Sequence, residues 1–293
     1  DIKVPKGNQK AAQVSFGKTF ENCKQLALLR IEGEVDPVSL QAVFRLPKLR
    51  VVSLQRCEIE AAWLEAMESV EEAYFYRVKF KRKGIQQAIK GSPLTSLKKI
   101  YLSKHAINFA KHPLFQLNLP AVELLQMDGK IKKFDEQLYR LSSLRAFYFK
   151  KYHLLAVPMP DFSKLPNLQV LEIKIDHKRY ANLDFFCEIL PKMKQLIHLD
   201  IVLHINTKDF QNFLTALSKQ TQLQQLHLTF NDFDSYGKGK DELVANFLMQ
   251  LPILSTLVQL EHLSLYNHVN NDDLKQEEET IRKHFPKLKT LKI

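Results

Sequence analysis

Along the chain one spacing of apolar residues recurs eleven times: an apolar residue, two variable positions, an apolar, one variable position, an apolar. It reads LALLRI from Leu26, LRVVSL from Leu49, VEEAYF from Val70, LKKIYL from Leu97, VELLQM from Val122 and LRAFYF from Leu144. LQVLEI from Leu168, LIHLDI from Leu196, LQQLHL from Leu223, LEHLSL from Leu260 and LKTLKI from Leu288 complete the series. Successive first positions lie 23, 21, 27, 25, 22, 24, 28, 27, 37 and 28 residues apart, a period that marks repeat architecture. From the second apolar position onward the alternation has period two, so each unit predicts a short strand with one buried face and one outward face. Helical patterns fill the gaps. Residues 36–46 (DPVSLQAVFRL) open with Asp36 as an N-cap and Pro37 at the first helical position. ANLDFFCEILPKM, TKDFQNFLTALSKQ, DELVANFLMQLPIL and residues 271–285 predict the later helices. One such unit cannot bury its own apolar edge, whereas a stack of them can.

The spacing resembles the leucine-rich-repeat family, whose signature is LxxLxL followed by xxN/CxL. Two units carry it in full: LRVVSLQRCEI (Leu49 to Ile59), with Cys57 at the ladder position, and LQQLHLTFNDF (Leu223 to Phe233), with Asn231 there. Elsewhere that position holds Val78, His105, Lys130, Tyr152, Asp176, His204 and His268, so the repeats are irregular and the subfamily is not identified. The resemblance covers nearly the whole chain. It implies an α/β leucine-rich-repeat solenoid, a curved horseshoe with a parallel β-sheet on the concave face and helices on the convex face. The expected layout is an N-terminal cap segment, residues 1–22, and a repeat domain of about eleven units over residues 23–293. Helix-only repeats would leave the alternating KKIYL and RAFYF unexplained. A doubly wound nucleotide-binding sheet would need a glycine-rich first turn, and none of the eight glycines lies in GxGxxG.

The last motif closes the chain at Ile293, which reads either as truncation or as an end that meets a partner. The 37-residue spacing contains an insertion at residues 232–242 (DFDSYGKGKDE), expected to be a flexible surface loop. No run approaches the roughly 20 apolar residues of a membrane helix. Three cysteines, Cys23, Cys57 and Cys187, are too few and too dispersed for a disulfide framework. Nothing therefore asks for an oxidising compartment, which favours an intracellular, cytoplasmic location, while a first residue of Asp1 leaves secretion open.

Candidate chemistry is sparse. The chain has no P-loop, HExxH, GxSxG or kinase signature, so no enzyme is expected, and no cofactor. His198, His227 and His262 fall on outward positions of consecutive predicted strands. His198 and His262 would stand roughly 10 Å apart, too far to share an ion unless His227 moved between them. The reading is polar residues on a solvated face, with no metal. Cys57 reads as a buried ladder residue and Cys187 as facing the core, both unreactive. Trp63 is expected to pack a helix inward, and the glutamates at 277–279 to lie on a solvated helix face.

Charge changes the picture more. Of a net +11, ten positive charges lie between Glu72 and Glu123 with no acidic residue among them: Arg77, Lys79, Lys81, Arg82, Lys83, Lys90, Lys98, Lys99, Lys104 and Lys111. The run KFKRKG (Lys79 to Gly84) reads as a solvated turn. Outward positions of the third and fourth motifs are Glu72, Tyr74, Tyr76 and Arg77, then Lys99, Tyr101, Ser103 and Lys104. Tyr148, Lys150 and Lys151 share that register in the sixth motif, and Tyr266 in the tenth. Tyrosine offers large contact area at little entropy cost, and basic residues beside it suit an acidic partner. The sequence thus points to a protein-protein interaction scaffold, with Tyr74, Tyr76, Arg77, Lys99, Tyr101, Lys104, Tyr148, Lys150 and Lys151 as binding residues. Its alternative is an anionic non-protein ligand such as nucleic acid, an acidic glycan or a lipid surface.

Overall fold

A computed structural model describes residues 23–33, 37–81, 93–109, 111–150, 159–174, 183–204, 207–231, 240–267 and 277–292. The chain divides into two compact units between Leu144 and Arg145. The first runs β1 (Leu28–Glu32), α1 (Pro37–Phe44), β2 (Val51–Gln55), β3 (Glu58–Glu60), β4 (Glu72–Tyr76), β5 (Lys79–Lys81), β6 (Lys99–Asn108), α2 (Pro113–Gln116) and β7 (Leu124–Lys133). Its main sheet has the order β1-β2-β4-β6-β7, and β3 pairs with β5 in a second small sheet. The second unit runs β8 (Ala146–Lys150), β9 (Val170–Lys174), α3 (Leu183–Ile189), β10 (His198–His204), α4 (Thr207–Leu217), β11 (Gln225–Asn231), α5 (Lys240–Leu254), β12 (His262–Asn267), α6 (Glu278–His284) and β13 (Thr290–Lys292). Its strands follow one another in chain order, and the described strand pairings within each unit are parallel.

Each motif supplies one strand of a main sheet, and its apolar positions make the core. Leu49, Val52 and Leu54, and likewise Leu223, Leu226 and Leu228, are fully buried, as are the corresponding triplets of the motifs between them and the one after. Burying one such side chain stabilises by roughly 1.5–3 kcal/mol, so every repeat adds a similar increment. Between triplet members the chain faces outward: β2 and β4 both alternate half-buried and buried residues.

The expected helical stretches differ in kind from gap to gap among the described residues. Residues Ala61–Ala66, Glu136–Arg140 and Phe162–Lys164 form 3-10 turns, and α2 is a single turn. Spacings of 21 to 25 residues leave too little chain, after the strand and two corners, for a longer α-helix than the eight residues of α1. The four spacings after Leu168, of 27 to 37 residues, hold α3, α4, α5 and α6. Trp63 is buried as expected, but from a 3-10 turn. Lys79–Lys81 is not a turn; it forms β5, whose Lys79 N–H bonds the Cys57 carbonyl at 2.9 Å. Cys57 and Val78 are both buried at the ladder position.

The strand ends of the first unit show how a repeat turns its corner. Gly33, Arg56 and Arg77 follow β1, β2 and β4, and all three have left-handed backbone, with φ of 103°, 52° and 52°. That geometry aims each N–H at the neighbouring strand: Gly33 at Gln55 O (2.9 Å), Arg56 at Tyr76 O (2.8 Å) and Arg77 at Ser103 O (3.0 Å). Among expectations outside the described residues are those for the cap segment 1–22, Asp36, Arg82 to Gly84, Lys90, Lys151, Tyr152, Asp176, His268 and the loop up to residue 239. Lys104, His105, Lys130 and His204 are described only as strand backbone.

Candidate functional site

Parallel register lines up equivalent positions of successive motifs into rows across the outward face. In the first unit one row is Arg30, Ser53, Tyr74, Tyr101 and Gln126, flanked by Glu72 and Lys99 on one side and Tyr76 and Ser103 on the other. Tyr74 and Tyr101 stack with ring centroids 4.2 Å apart and planes only 2° from parallel. Both rings are partly exposed, so the pair presents a rigid aromatic platform. The Tyr74 hydroxyl donates to Glu72 Oε2 (2.9 Å), and Lys99 Nζ donates to Glu72 Oε1 (2.7 Å). The Lys99 ammonium draws the Glu72 carboxyl below its usual range, while burial and the Glu72 bond push the Tyr74 phenol far up, keeping it protonated. Lys99 is thus tied down by Glu72 rather than standing free. Arg77 is exposed, and its guanidinium lies 5.5 Å from the centre of the Tyr76 ring.

Tyr148 and Lys150 belong to the second unit, where Lys150 Nζ lies 5.9 Å from the Tyr148 ring centre. The same row runs from Tyr148 through Glu172, Asp200 and His227 to Ser264 and Lys292. The row before it places His198, Gln225 and His262 side by side. Glu172 and Asp200, beside the partly exposed histidines, are 7% and 6% exposed. Lys174 Nζ bridges Glu172 Oε1 (3.0 Å) and Asp200 Oδ2 (2.9 Å), and Lys150 reaches Glu172 at 3.5 Å. Burial alone would raise the Asp200 carboxyl, yet His227 and Lys174 outweigh it and hold it below its usual range.

The register places His198 and His262 at equivalent positions two strands apart, as the spacing argument has them. Gln225, not His227, stands between His198 and His262; His227 lies diagonally one row on, its ring centre 5.2 Å from that of His198. His262 sits 4.0 Å from Glu261. Glu172, Lys174 and Asp200 went unnoticed in the sequence, though the signal was there. Glu172, Asp200 and His227 each lie four residues after the first position of their motif, so register alone makes them neighbours.

With the geometry established, the fold can be compared with solved structures. A leucine-rich-repeat protein of Leptospira interrogans superposes with a TM-score of 0.52 at 16% identity, over 93% of this chain and 67% of that one. The chain has the leucine-rich-repeat fold. An internalin, inlF, of Listeria monocytogenes is similar with a TM-score of 0.40 at 13% identity, over 93% of this repeat protein and 88% of the internalin. A plant peptide hormone receptor, solved in complex with RGF2, gives 0.40 at 11% identity over 83% and 41% of the two chains. No family model and no curated protein matches the sequence. Among the described residues no helix is long and apolar enough to cross a membrane.

Proposed function

We propose that this repeat protein is a non-enzymatic scaffold that binds a protein partner on the outward face of its first unit, around the Tyr74–Tyr101 stack. The stack carries the reading. Two parallel, stacked and partly exposed rings on neighbouring strands lose little side-chain freedom on binding, and aromatic anchors of this kind dominate interface energetics. The Glu72–Lys99 pair fixes the platform from below by holding the Tyr74 hydroxyl. Arg77 over Tyr76 supplies exposed positive charge beside it, which suits an acidic partner. Tyr148 and Lys150 form a second aromatic and basic pair, in the other unit.

The test is capture of partners from a source-cell lysate at low and moderately high salt, comparing wild type with Tyr74→Ala/Tyr101→Ala. A protein retained at both salts and lost by the variant supports the reading, with an affinity loss of about 2 kcal/mol or more, about thirtyfold. Polyanion recovered only at low salt would favour a nucleic acid or other anionic ligand instead, because phosphate contacts are steeply salt-dependent. Capture unchanged by the variant would remove the stack from the binding site.

A further inference from the structure

His198, Asp200 and His227 bring two imidazoles and a carboxylate to one spot on adjacent parallel strands, and this spot is independent of the tyrosine platform. One ligand-capable atom from each lies within 4.8 Å of the others. We propose that these three residues form a binding site for a divalent transition-metal ion, Zn²⁺ above others, on the outward face of β10 and β11.

The positions are fixed by backbone, not by flexible loops. Asp200 and His227 are direct register partners, His198 stands two residues before Asp200 on the same face, and the two strands pair along seven residues. His227 Nδ1 already points at Asp200 Oδ2, 3.6 Å away. His198 is half-buried, and its Nε2 is buried without a hydrogen-bond partner among the described residues. A buried nitrogen with nothing to bond is costly and calls for an explanation, and a metal ion supplies one. Gln225 stands directly opposite His198 in register, a polar neighbour of the kind that can orient a metal-binding imidazole.

Ligand chemistry selects the ion. Two imidazoles with one carboxylate suit zinc and its first-row neighbours, whereas calcium and magnesium prefer all-oxygen shells. Tetrahedral zinc, with bonds to nitrogen and oxygen of about 2.0–2.2 Å, holds its ligand atoms about 3.3–3.6 Å apart. A gap of up to 4.8 Å therefore closes by about 1.2–1.5 Å, a movement that rotation of the His227 side chain, 32% exposed, can supply. Three protein ligands leave a coordination position for water or an incoming donor atom.

The opponent is Lys174, whose ammonium occupies Asp200 Oδ2 at 2.9 Å. A dication bound at Asp200 repels the ammonium beside it, so metal binding biases Lys174 toward Glu172, which it already touches at 3.0 Å. This competition is specific to the proposed site and gives the test its sharpest arm: removing the lysine charge makes the metal bind more tightly.

The experiment titrates the full chain with Co²⁺, followed by visible absorption, then displaces it with Zn²⁺ and repeats the titration calorimetrically with Zn²⁺ alone. One equivalent of Co²⁺ giving a saturable band that Zn²⁺ abolishes is expected. His198→Gln and His227→Gln should each weaken binding by at least about tenfold, since even supporting residues around a metal cost that much. Lys174→Met should tighten it, and His262→Gln should leave it unchanged, because His262 neighbours Glu261 instead. Thermal unfolding of each variant without metal checks that folding is intact; should His198→Gln unfold, the partly exposed His227→Gln decides alone. Absence of a saturable band, or affinities indifferent to both His227→Gln and Lys174→Met, would overturn the proposal.

Discussion

Glu72 shows how much one residue on an open sheet face can organise. Its carboxylate accepts from Tyr74 and from Lys99, and so links β4 to β6 across the stacked rings. Because its folded pKa lies below the ordinary 4.5, the pair adds stability that is fully present above that value. That stability is lost as pH falls through the depressed value. Lys99→Met should therefore lower the melting temperature slightly at pH 7, and the difference from wild type should fade as pH falls below the ordinary carboxylate range and Glu72 protonates. Cys57 carries the opposite lesson: burial pushes its thiol up to about 12, against the lowering effect of its own backbone hydrogen bond. Thiol labelling of the native protein at pH 8, read by mass spectrometry, should find Cys57 unmodified while the half-buried Cys23 and Cys187 react first.

At the scale of elements, stability rests on corners and turns as much as on strands. Gln220 follows α4 and is fully buried; its Nε2 donates to the Leu190 carbonyl and its Oε1 accepts from Gln222 Nε2 at 2.9 Å. Gln220→Leu keeps the bulk but removes both side-chain bonds, the Leu190 carbonyl retaining the Met193 N–H at 3.0 Å, and should cost about 0.5–1.5 kcal/mol in denaturant unfolding. Gly33 has room around a Cβ, so Gly33→Ala tests backbone conformation without a clash. At φ 103° the expected loss is about 1–2 kcal/mol. Arg56 and Arg77 accept the same left-handed corner without glycine's freedom, and at Arg77 the result is a guanidinium delivered over Tyr76. A chain scanned for glycine would miss both corners; they are legible only from the hydrogen bonds they serve.

For the whole molecule, the asymmetry of charge matters more than its total. The ten positive charges between Glu72 and Glu123 all lie in the first unit, whereas Glu172 and Asp200 lie buried in the second. Exposed charges act over about 10 Å at 0.1 M salt, so they govern encounter more than the final contact. Reversing the exposed Lys98 and Lys111 together should slow association with an acidic partner by about tenfold at low salt and leave the dissociation rate nearly unchanged. Stopped-flow association at several ionic strengths checks this: the two curves should converge as salt rises.

The sequence by itself determined the strands, their parallel stacking and the core, because a strict apolar spacing repeated eleven times leaves a stack as the way to bury every Leu triplet. It also placed Tyr74, Tyr101 and Lys99 on the outward face, since alternation along a strand is set by backbone geometry. What it left open were relations across strands. That Tyr74 stacks on Tyr101, that Glu72 captures Lys99, and that His198 meets His227 and Asp200 instead of His262 depend on side-chain direction and on which long neighbour covers a carboxylate. Those are decided by packing between residues more than twenty positions apart, which periodicity within a repeat does not encode.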